Sequence, residues 1–186
     1  MSAQDSKLFV ISGPSGAGKG TLVTRVRELR SNLGLTVSAT TRAPRKGEVD
    51  GVNYFFLTRE EFDRRVANGE FVEWAEVHGN CYGTLVSEVT SKLASGASLI
   101  LEIDVQGALQ VKERFPEAVL IFIKPPSLEV LRERLVGRGT ETPETIELRM
   151  ANAADELALA DRYDDVVVND DLDRATDELV RVLDMH

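Results

Sequence analysis

The stretch Phe9–Leu22, FVISGPSGAGKGTL, decides the fold class. A short apolar run, a glycine-rich turn and a run with helical spacing follow one another, which predicts a buried strand, a loop and a helix. Gly13, Gly18 and Lys19 fill the spacing Gly-x-x-x-x-Gly-Lys. In this pattern the glycines let backbone N–H groups wrap a phosphate, and the lysine neutralises it. The stretch therefore indicates a phosphate-binding loop at the start of an α/β fold.

Position 20 departs from this pattern. It normally holds Ser or Thr, whose hydroxyl binds Mg²⁺, but this chain has Gly20 there and a hydroxyl only at Thr21. A lysine in the first helical turn has the wrong charge for the helix dipole, and a phosphate between the two explains Lys19. The alternatives are a plain glycine-rich turn with a surface lysine, and a dinucleotide-binding loop. The second lacks its third glycine after Gly16 and Gly18.

The composition limits the class of protein. A length of 186 residues with 42% hydrophobic residues suits one globular domain. A net charge of −9 argues against nucleic-acid binding but allows a small anionic ligand held by local positive charge. No apolar run is long enough to span a membrane, and the first residues lack the pattern of a signal peptide. The single cysteine, Cys81, excludes an internal disulfide, so we expect a reducing cytoplasmic location.

Apolar strands alternate with helices along most of the chain, which predicts a parallel sheet covered on both faces. The segment 35–84 breaks this alternation because it is rich in strand patterns, and we interpret it as an inserted lobe. The predicted core strands are 7–12, 97–104, 117–126 and 164–169, and the predicted lobe strands are 52–57 and 70–77. The predicted helices are 19–33, stopped by Gly34, then 59–68, 86–95, 127–137, 143–160 and 172–183.

A basic pair lies in the segment TTRAPRKG. Pro44 favours an extended conformation at Ala43, and near polyproline II geometry residues three apart project on the same side. Arg42 and Arg45 can then converge on one phosphate. The alternative is a solvated basic turn. We favour a second phosphate site, because a phosphotransferase needs a site for each of two anions.

The strand pattern FVEWAEV carries two glutamates. Alternation places Glu73 on the face of Phe71 and Glu76 on the opposite face. Each face therefore has one carboxylate, and alternation alone does not say which is functional. Either can also be a solvated strand carboxylate.

The stretch LILEIDVQG ends a predicted core strand. Alternation predicts Glu102, Asp104 and Gln106 on one face, at the sheet edge where ligands of parallel sheets bind. Acids at this edge suit Mg²⁺ or its waters. Asp104 can instead cap the next helix.

The stretch GRGTETPETIELR contains two further arginines. Arg138 lies between two glycines, which suits a mobile flap that closes on phosphates. Thr142 followed by Pro143 predicts a helix start, and Arg149 lies about two turns further on. A surface loop is the alternative for Arg138, and a surface ion pair for Arg149.

Seven motifs follow one another between about residues 8 and 184: GPSGAGKGTL, VSATTRAPRKGEVDGVNYFF, EFVEWAEVHGNCYGT, LILEIDVQG, IFIKPPS, GRGTET and VVNDDLD. In this order and spacing they resemble the guanylate kinase family of nucleoside-monophosphate kinases. The resemblance implies a parallel-sheet core at 1–34, 85–136 and 160–186, a GMP-binding lobe at 35–84 and a lid at 137–159. It also implies Mg²⁺-dependent transfer of the γ-phosphoryl group of ATP to GMP, giving ADP and GDP, in purine nucleotide recycling.

The resemblance also implies roles for individual residues. The GMP phosphate is implied to contact Arg42, Arg45, Tyr54 and Tyr82. The guanine base is implied to contact Ser38, Glu73 and Thr84, with Asp104 nearby. The ATP phosphate loop is implied to comprise Gly13, Pro14, Ser15, Gly16, Ala17, Gly18, Lys19, Gly20 and Thr21. The transferring phosphates are implied to meet Lys19, Arg138 and Arg149, and adenine to lie near Asn169 and Asp170.

Gly20 is the departure from the family pattern. Many members carry Ser or Thr there, whereas adenylate kinases resemble this chain in having Gly-Lys-Gly-Thr. We therefore expect no direct side-chain ligand for Mg²⁺, which phosphates and waters would hold. Glu102 and Asp104 are the candidates to bind it through water.

Two alternatives to this activity stay open at this point. The first is a binding module like the guanylate-kinase-like domains of scaffold proteins, but those have lost the phosphate loop that is intact here. The second is a kinase with another acceptor, such as AMP or a phosphosugar, against which Glu73 and Ser38 argue. The expected partners are ATP and GMP, without nucleic acid or membrane, and the oligomeric state is left open.

Overall fold

The computed structural model describes residues 6–77, 79–137, 139 and 142–186. The strands in chain order are β1 (Leu8–Ser12), β2 (Leu33–Leu35), β3 (Ala39–Thr40), β4 (Phe55–Phe56), β5 (Phe71–Val77), β6 (Asn80–Leu85), β7 (Ser98–Glu102), β8 (Val119–Lys124) and β9 (Asp165–Val168). The helices are α1 (Lys19–Leu29), α2 (Arg59–Ala67), α3 (Val86–Ala94), α4 (Val105–Arg114), α5 (Leu128–Gly137), α6 (Pro143–Leu157) and α7 (Leu172–Met185). A single 3₁₀ turn follows α6 at Ala160–Arg162.

Five parallel strands form the core sheet in the order β2-β7-β1-β8-β9. Every residue of β1 is buried, because helices cover both faces of the sheet. Phe9 and Ile11 pack on the face covered by α1 and α7, whereas Leu8 and Val10 pack on the face covered by α3 and α4. The prediction of a parallel sheet covered on both faces is confirmed.

A second sheet of four strands, in the order β4-β3-β6-β5, spans residues 39–85 and so nearly coincides with the segment 35–84 predicted as an inserted lobe. Helix α2 closes its small core: Phe62 is fully buried and its ring stacks on Phe71 with centroids 4.3 Å apart. Cys81 is a buried free thiol in the same cluster. No helix in the described ranges is both long and apolar enough to cross a membrane.

The predicted end of the first helix is wrong. Helix α1 ends at Leu29, and Gly34 lies inside β2, the edge strand of the core sheet. A Cβ on Gly34 would approach a methyl group of Leu99 to 2.9 Å, so this glycine allows close packing of β2 on β7. The chain therefore returns to the core sheet before it enters the lobe.

The face predicted for Glu73 is also wrong. The register of β5 against β6 shifts between Phe71 and Glu73, as in a β-bulge, so strict alternation does not hold there. Phe71 and Trp74 both contact the ring of Phe62, whereas Glu73 bonds Thr84 on the neighbouring strand. The bulge places Glu73 away from the hydrophobic cluster under α2.

Candidate active site

The glycine-rich loop joins β1 to α1, as the sequence predicts. Its glycines include Gly13 and Gly18, whose φ angles of 142° and 91° are conformations that side chains strongly disfavour. A Cβ on Gly13 would lie 2.2 Å from the carbonyl oxygen of Ile123, and one on Gly18 would lie 2.3 Å from Nδ2 of Asn169. The loop thus needs glycine both for its backbone and for its close approach to β8 and to the residue after β9.

The side chain of Asn169 holds this loop in place through a hydrogen bond. The residue is only 6% exposed, and its side-chain amide donates to the carbonyl oxygen of Ala17 at 2.8 Å. Its backbone carbonyl accepts from the guanidinium of Arg134 at 2.8 Å. Nη1 of Arg134 is buried without a partner among the described residues. No sequence pattern marks Arg134 as a site residue, because an arginine in an amphipathic helix is usually a surface residue.

Two cationic side chains converge on the loop. The Lys19 ammonium donates to the carbonyl oxygens of Gly13 and Pro14, at 2.6 and 3.1 Å. Arg149, on α6, donates to the hydroxyl of Ser15. The two positive charges therefore lie at the loop where an anion is expected.

The start of α6 is as predicted. Pro143 lies in its first turn, and the Thr142 hydroxyl accepts from the backbone N–H of Thr145. This cap fixes where the helix begins and so where Arg149 lies along it. The other predicted arginine, Arg138, falls outside the described residues.

The strand that carries Glu102 ends there, so Asp104 and Gln106 do not continue its face. Asp104 is instead the N-cap of α4, and its carboxylate accepts from the backbone N–H of Gly107 at 2.7 Å. The prediction of three side chains on one strand face is wrong, because the backbone turns into a helix after Ile103. The capping alternative describes the observed role of Asp104.

Glu102 faces the open flank of the loop at Gly20. A Cβ on Gly20 would lie 3.5 and 3.6 Å from the two carboxylate oxygens of Glu102, which is ordinary contact distance. The residue is exposed to solvent, yet partial burial of its carboxyl by the surrounding protein raises the pKa of Glu102, and the Lys19 ammonium opposes this rise. The position that lacks a hydroxyl therefore has a carboxylate beside it.

Glu73 is a buried carboxylate in the second sheet. It is 7% exposed and accepts from the Thr84 hydroxyl at 2.7 Å. Burial raises the pKa of Glu73 to about 7, while the hydrogen bond from Thr84 opposes this rise. Glu76, by contrast, is exposed and pairs with Arg59 at 3.1 Å. The structure thus distinguishes the two glutamates that alternation left equivalent.

The burial of Glu73 makes stability depend on pH. Its pKa is higher in the folded chain than in the unfolded chain, so the folded state loses stability as pH rises from about 4.5 to above 7. We expect Glu73→Gln, which stays neutral, to gain up to about 3 kcal/mol relative to the wild type over this range. Urea unfolding at pH 5 and pH 8 measures this difference. A difference that stays constant with pH would contradict the assignment, and Glu76→Gln is the matched control on the same strand.

The residues implied for the GMP phosphate lie together around Arg42. Its guanidinium carbon lies 5.4 Å from the ring centroid of Tyr54 and 5.9 Å from that of Phe56. Tyr54 and Tyr82 meet edge-on with ring centroids 6.2 Å apart. The Arg45 side chain is exposed, so its convergence with Arg42 stays a prediction. Three of the four side chains thus form one group at the end of the second sheet.

Three remaining predicted residues lie at the edges of these groups. Ser38 precedes β3, and its backbone carbonyl accepts from the N–H of Phe55 at 2.9 Å. Asp170 is exposed and pairs with Arg174, which holds the pKa of that carboxyl below its usual range. Thr21 is an exposed residue of α1 next to Gly20.

A parallel sheet with a glycine-rich phosphate loop and an inserted second sheet defines a nucleotide-dependent phosphotransferase of the P-loop class. The sequence model of the guanylate kinase family matches residues 5–186. The chain therefore belongs to the guanylate kinase family. It is an enzyme, an ATP:GMP phosphotransferase, so the prediction of this activity is confirmed and the binding-module alternative is set aside.

Individual relatives agree with this assignment. The chain is 52% identical over 183 residues to guanylate kinase of Halalkalibacterium halodurans, covering 98% of this chain and 90% of the relative. It is 56% identical over 178 residues to guanylate kinase of Gloeobacter violaceus, covering 96% and 87%. A crystal structure of guanylate kinase from Anaplasma phagocytophilum is similar with a TM-score of 0.73 at 37% identity, covering 97% of this chain and 85% of that one.

Proposed function

We propose that GMP binds along the second sheet, with its base at Glu73 and its phosphate at Arg42, and that ATP binds on the loop after β1. One observation carries this proposal: β6 holds Thr84, the partner of Glu73, and Tyr82, which contacts the Arg42 group. Residues two apart on a strand share a face and lie about 7 Å apart. A nucleoside monophosphate has an uncharged base edge and an anionic phosphate to match these two groups.

The guanine end of this site is set by the carboxylate. An ionised Glu73 can accept hydrogen bonds from both N1–H and N2–H₂ of guanine, and adenine has no such pair of donors. Its Oε1 accepts from Thr84, and a Cβ on Gly107 would lie 3.3 Å from Oε2, so α4 closely lines this carboxylate. We assign Ser38, Thr84 and Asp104 to the surroundings of the base.

The ATP end uses the residues from Gly13 to Thr21. Backbone N–H groups of the loop and the start of α1 bind the phosphates, and Lys19 neutralises charge on them. Asn169 holds the loop through Ala17. We assign this positioning role to Asn169 because its side chain is buried. From the family resemblance we assign Asn169 and Asp170 to the side of the adenine.

Mg²⁺ is proposed as the metal that accompanies ATP, and the residues present fit it. Among the described residues no cluster of three or more acidic, histidine or cysteine side chains could hold a metal ion alone. Mg²⁺ ordinarily keeps several waters and binds one or two carboxylates together with substrate phosphates. Glu102 beside Gly20 can accept from such waters, and Asp104 lies further along the chain, at the cap of α4. When bound, the ion would neutralise negative charge on the phosphates.

Transfer needs little covalent chemistry from the protein. An oxygen of the GMP phosphate attacks the γ-phosphorus of ATP, and the bond to the bridging oxygen of ADP breaks, so no general base is required. Lys19 and Arg149 stabilise the negative charge that spreads over the transferring group. Arg138 is assigned the same task from the family resemblance. Closure of the segments 35–84 and 137–159 over the core would exclude water from the reaction.

A coupled assay of ADP formation with GMP, AMP and a phosphosugar tests the acceptor assignment directly. GMP is expected to be used at least about 10³-fold more efficiently than AMP, because AMP lacks the two donors that guanine presents to the buried carboxylate. Comparable use of AMP would contradict the role of Glu73.

We also propose a cytoplasmic location, since a reducing compartment suits the free thiol of Cys81.

Arg45→Lys tests the phosphate end of the site. We expect a rise of about tenfold in the KM for GMP, because an ammonium does not reproduce the two-pronged contact of a guanidinium. Steady-state kinetics with each substrate varied in turn measure this, and the KM for ATP should not change. Arg64→Lys, at an exposed ion pair on α2, is the matched control. Wild-type GMP kinetics in Arg45→Lys would remove Arg45 from the site.

A further inference from the structure

Glu48 hydrogen-bonds to both residues of the basic pair, Arg42 and Arg45. Its Oε1 accepts from Nη2 of Arg42 at 2.9 Å, and its Oε2 accepts from the backbone N–H of Arg45 at 2.6 Å. The backbone N–H of Glu48 in turn donates to the carbonyl oxygen of Arg45 at 3.0 Å. The two side chains of the Arg42–Glu48 ion pair are largely buried: Arg42 is 15% exposed and Glu48 is 19% exposed. One carboxylate therefore fixes two residues that lie three apart in an extended segment.

The guanidinium of Arg42 is held from several sides. Nη1 donates to the carbonyl oxygen of Ala43 at 2.7 Å, and Nη2 donates to Glu48. The plane lies near the rings of Tyr54 and Phe56. These two hydrogen bonds use two of the five N–H donors of an arginine, so Arg42 can bind a phosphate without releasing Glu48. The arrangement is compatible with a bound phosphate and need not be displaced by it.

The charge of Glu48 makes this arrangement costly. A carboxylate beside a phosphate site repels the ligand, so its electrostatic effect on GMP binding is unfavourable. The Arg42 guanidinium and the Arg45 backbone N–H hold the pKa of Glu48 below its usual range, so the charge persists at neutral pH. A group with this unfavourable effect has to act through geometry if it assists binding at all.

We propose that Glu48 is a positioning residue for the GMP phosphate, which holds Arg42 and the backbone of Arg45 in place before GMP arrives. This inference rests on the proposed assignment of Arg42 and Arg45 to that phosphate. Preorganised donors bind better than mobile ones because less side-chain freedom is lost on binding. The carboxylate thus strengthens binding of an anion although it is itself an anion.

The direction in which one substitution changes the affinity for GMP tests the proposal. Glu48→Gln keeps the size of the side chain but removes its charge and one of its two acceptor oxygens. If Glu48 acts by position, GMP binding weakens by about tenfold. If it acts only by charge, GMP binding becomes tighter. We therefore measure dissociation constants of GMP and of guanosine, which lacks the phosphate, by calorimetry on the free enzyme.

The expected result is weaker GMP binding with guanosine binding unchanged within about twofold, since Glu48 acts only through the phosphate contacts. The KM for GMP should rise while the KM for ATP and the kcat at saturating GMP stay near wild type. Glu76→Gln, which removes an ion pair between β5 and Arg59 of α2, is the matched control. Unchanged or tighter GMP binding overturns the proposal, and so does an equal loss for guanosine, which indicates a general disturbance of the sheet. If Arg45→Lys also binds GMP normally, the phosphate site itself is misassigned.

Discussion

Replacing Lys19 with alanine is expected to lower kcat by about 10³-fold, or roughly 4 kcal/mol of activation free energy. The ammonium is already held at the loop by the carbonyl oxygens of Gly13 and Pro14, at 2.6 and 3.1 Å. A charge fixed in this way stabilises the transferring phosphoryl group without reorganisation during the reaction. Single-turnover kinetics at saturating ATP and GMP measure the chemical step, and calorimetry measures ATP binding separately.

The matched control for Lys19→Ala is Gly20→Ala, one residue along the same helix. The new methyl group would meet Glu102 at ordinary contact distance, so we expect less than about a tenfold loss of kcat. Mg²⁺ should stay essential in both the wild type and Gly20→Ala. If Gly20→Ala is as inactive as Lys19→Ala while the fold is intact, the backbone at position 20 has a role that the proposal lacks. If Thr21→Val alone sharply raises the Mg²⁺ requirement, the late hydroxyl is the metal ligand.

The core of the fold could be predicted because its signals are local. Strands buried on both faces are continuous apolar runs, and LFVIS of β1 and VLIFIK of β8 are two such runs. The loop after β1 is likewise a local pattern, since its glycines and Lys19 lie within seven residues of sequence. The strand order β2-β7-β1-β8-β9 does not follow from local patterns, because α1 joins β1 to β2 and yet β7 lies between these two strands.

The second sheet was less predictable because its geometry depends on contacts between distant residues. The bulge near Glu73 depends on pairing with β6, and a Cβ on Gly83 in that strand would lie 2.7 Å from the carbonyl oxygen of Glu73. Strands β3 and β6 were not predicted, because β3 has two residues and β6 carries Asn80, a glycine and a threonine in place of a clear apolar pattern. The glycine within α4 weakens its helical pattern, so the bounds of this helix do not follow from the sequence.

The site residues divide in the same way. Residues proposed to contact ligands, such as Lys19 and Arg42, occur in recognisable motifs. Glu48 and Arg134 act through other residues: one holds Arg42 and the other holds the carbonyl of Asn169. No spacing rule marks such residues, because their partners are defined only after the chain has folded. The structure was therefore needed to find the groups that position the site.

Replacing Glu73 with glutamine is expected to lower kcat/KM for GMP by about 10²-fold, while the KM for ATP stays near wild type. Guanine presents two donors and therefore needs two acceptor atoms, but the amide places a donor where one of these acceptors should be. An unpaired buried donor costs about 1–3 kcal/mol. Thr84 can still donate to the amide oxygen, so the fold around the position should be retained. Glu76→Gln, at the exposed end of the same strand, should not change GMP kinetics. Equal losses for GMP and ATP would contradict the assignment of Glu73 to the base.

Comparing the pH dependence of this variant with that of the wild type distinguishes recognition of the guanine base from recognition of the GMP phosphate. Guanine needs the ionised carboxylate, and the pKa of Glu73 in the free enzyme is about 7, so kcat/KM for GMP should rise as pH increases through 7. The GMP phosphate also loses a proton near pH 6, which raises binding at Arg42 in both wild type and variant. Dividing the wild-type pH profile of kcat/KM by that of Glu73→Gln cancels the effect of phosphate ionisation, which both enzymes share. The ratio then reports the ionisation of the Glu73 carboxyl alone. We expect this ratio to increase by about tenfold per pH unit at pH values well below 7 and to level off above it, because only the ionised fraction of Glu73 binds guanine. A ratio that does not vary with pH would mean that the carboxylate is not the group that reads the base.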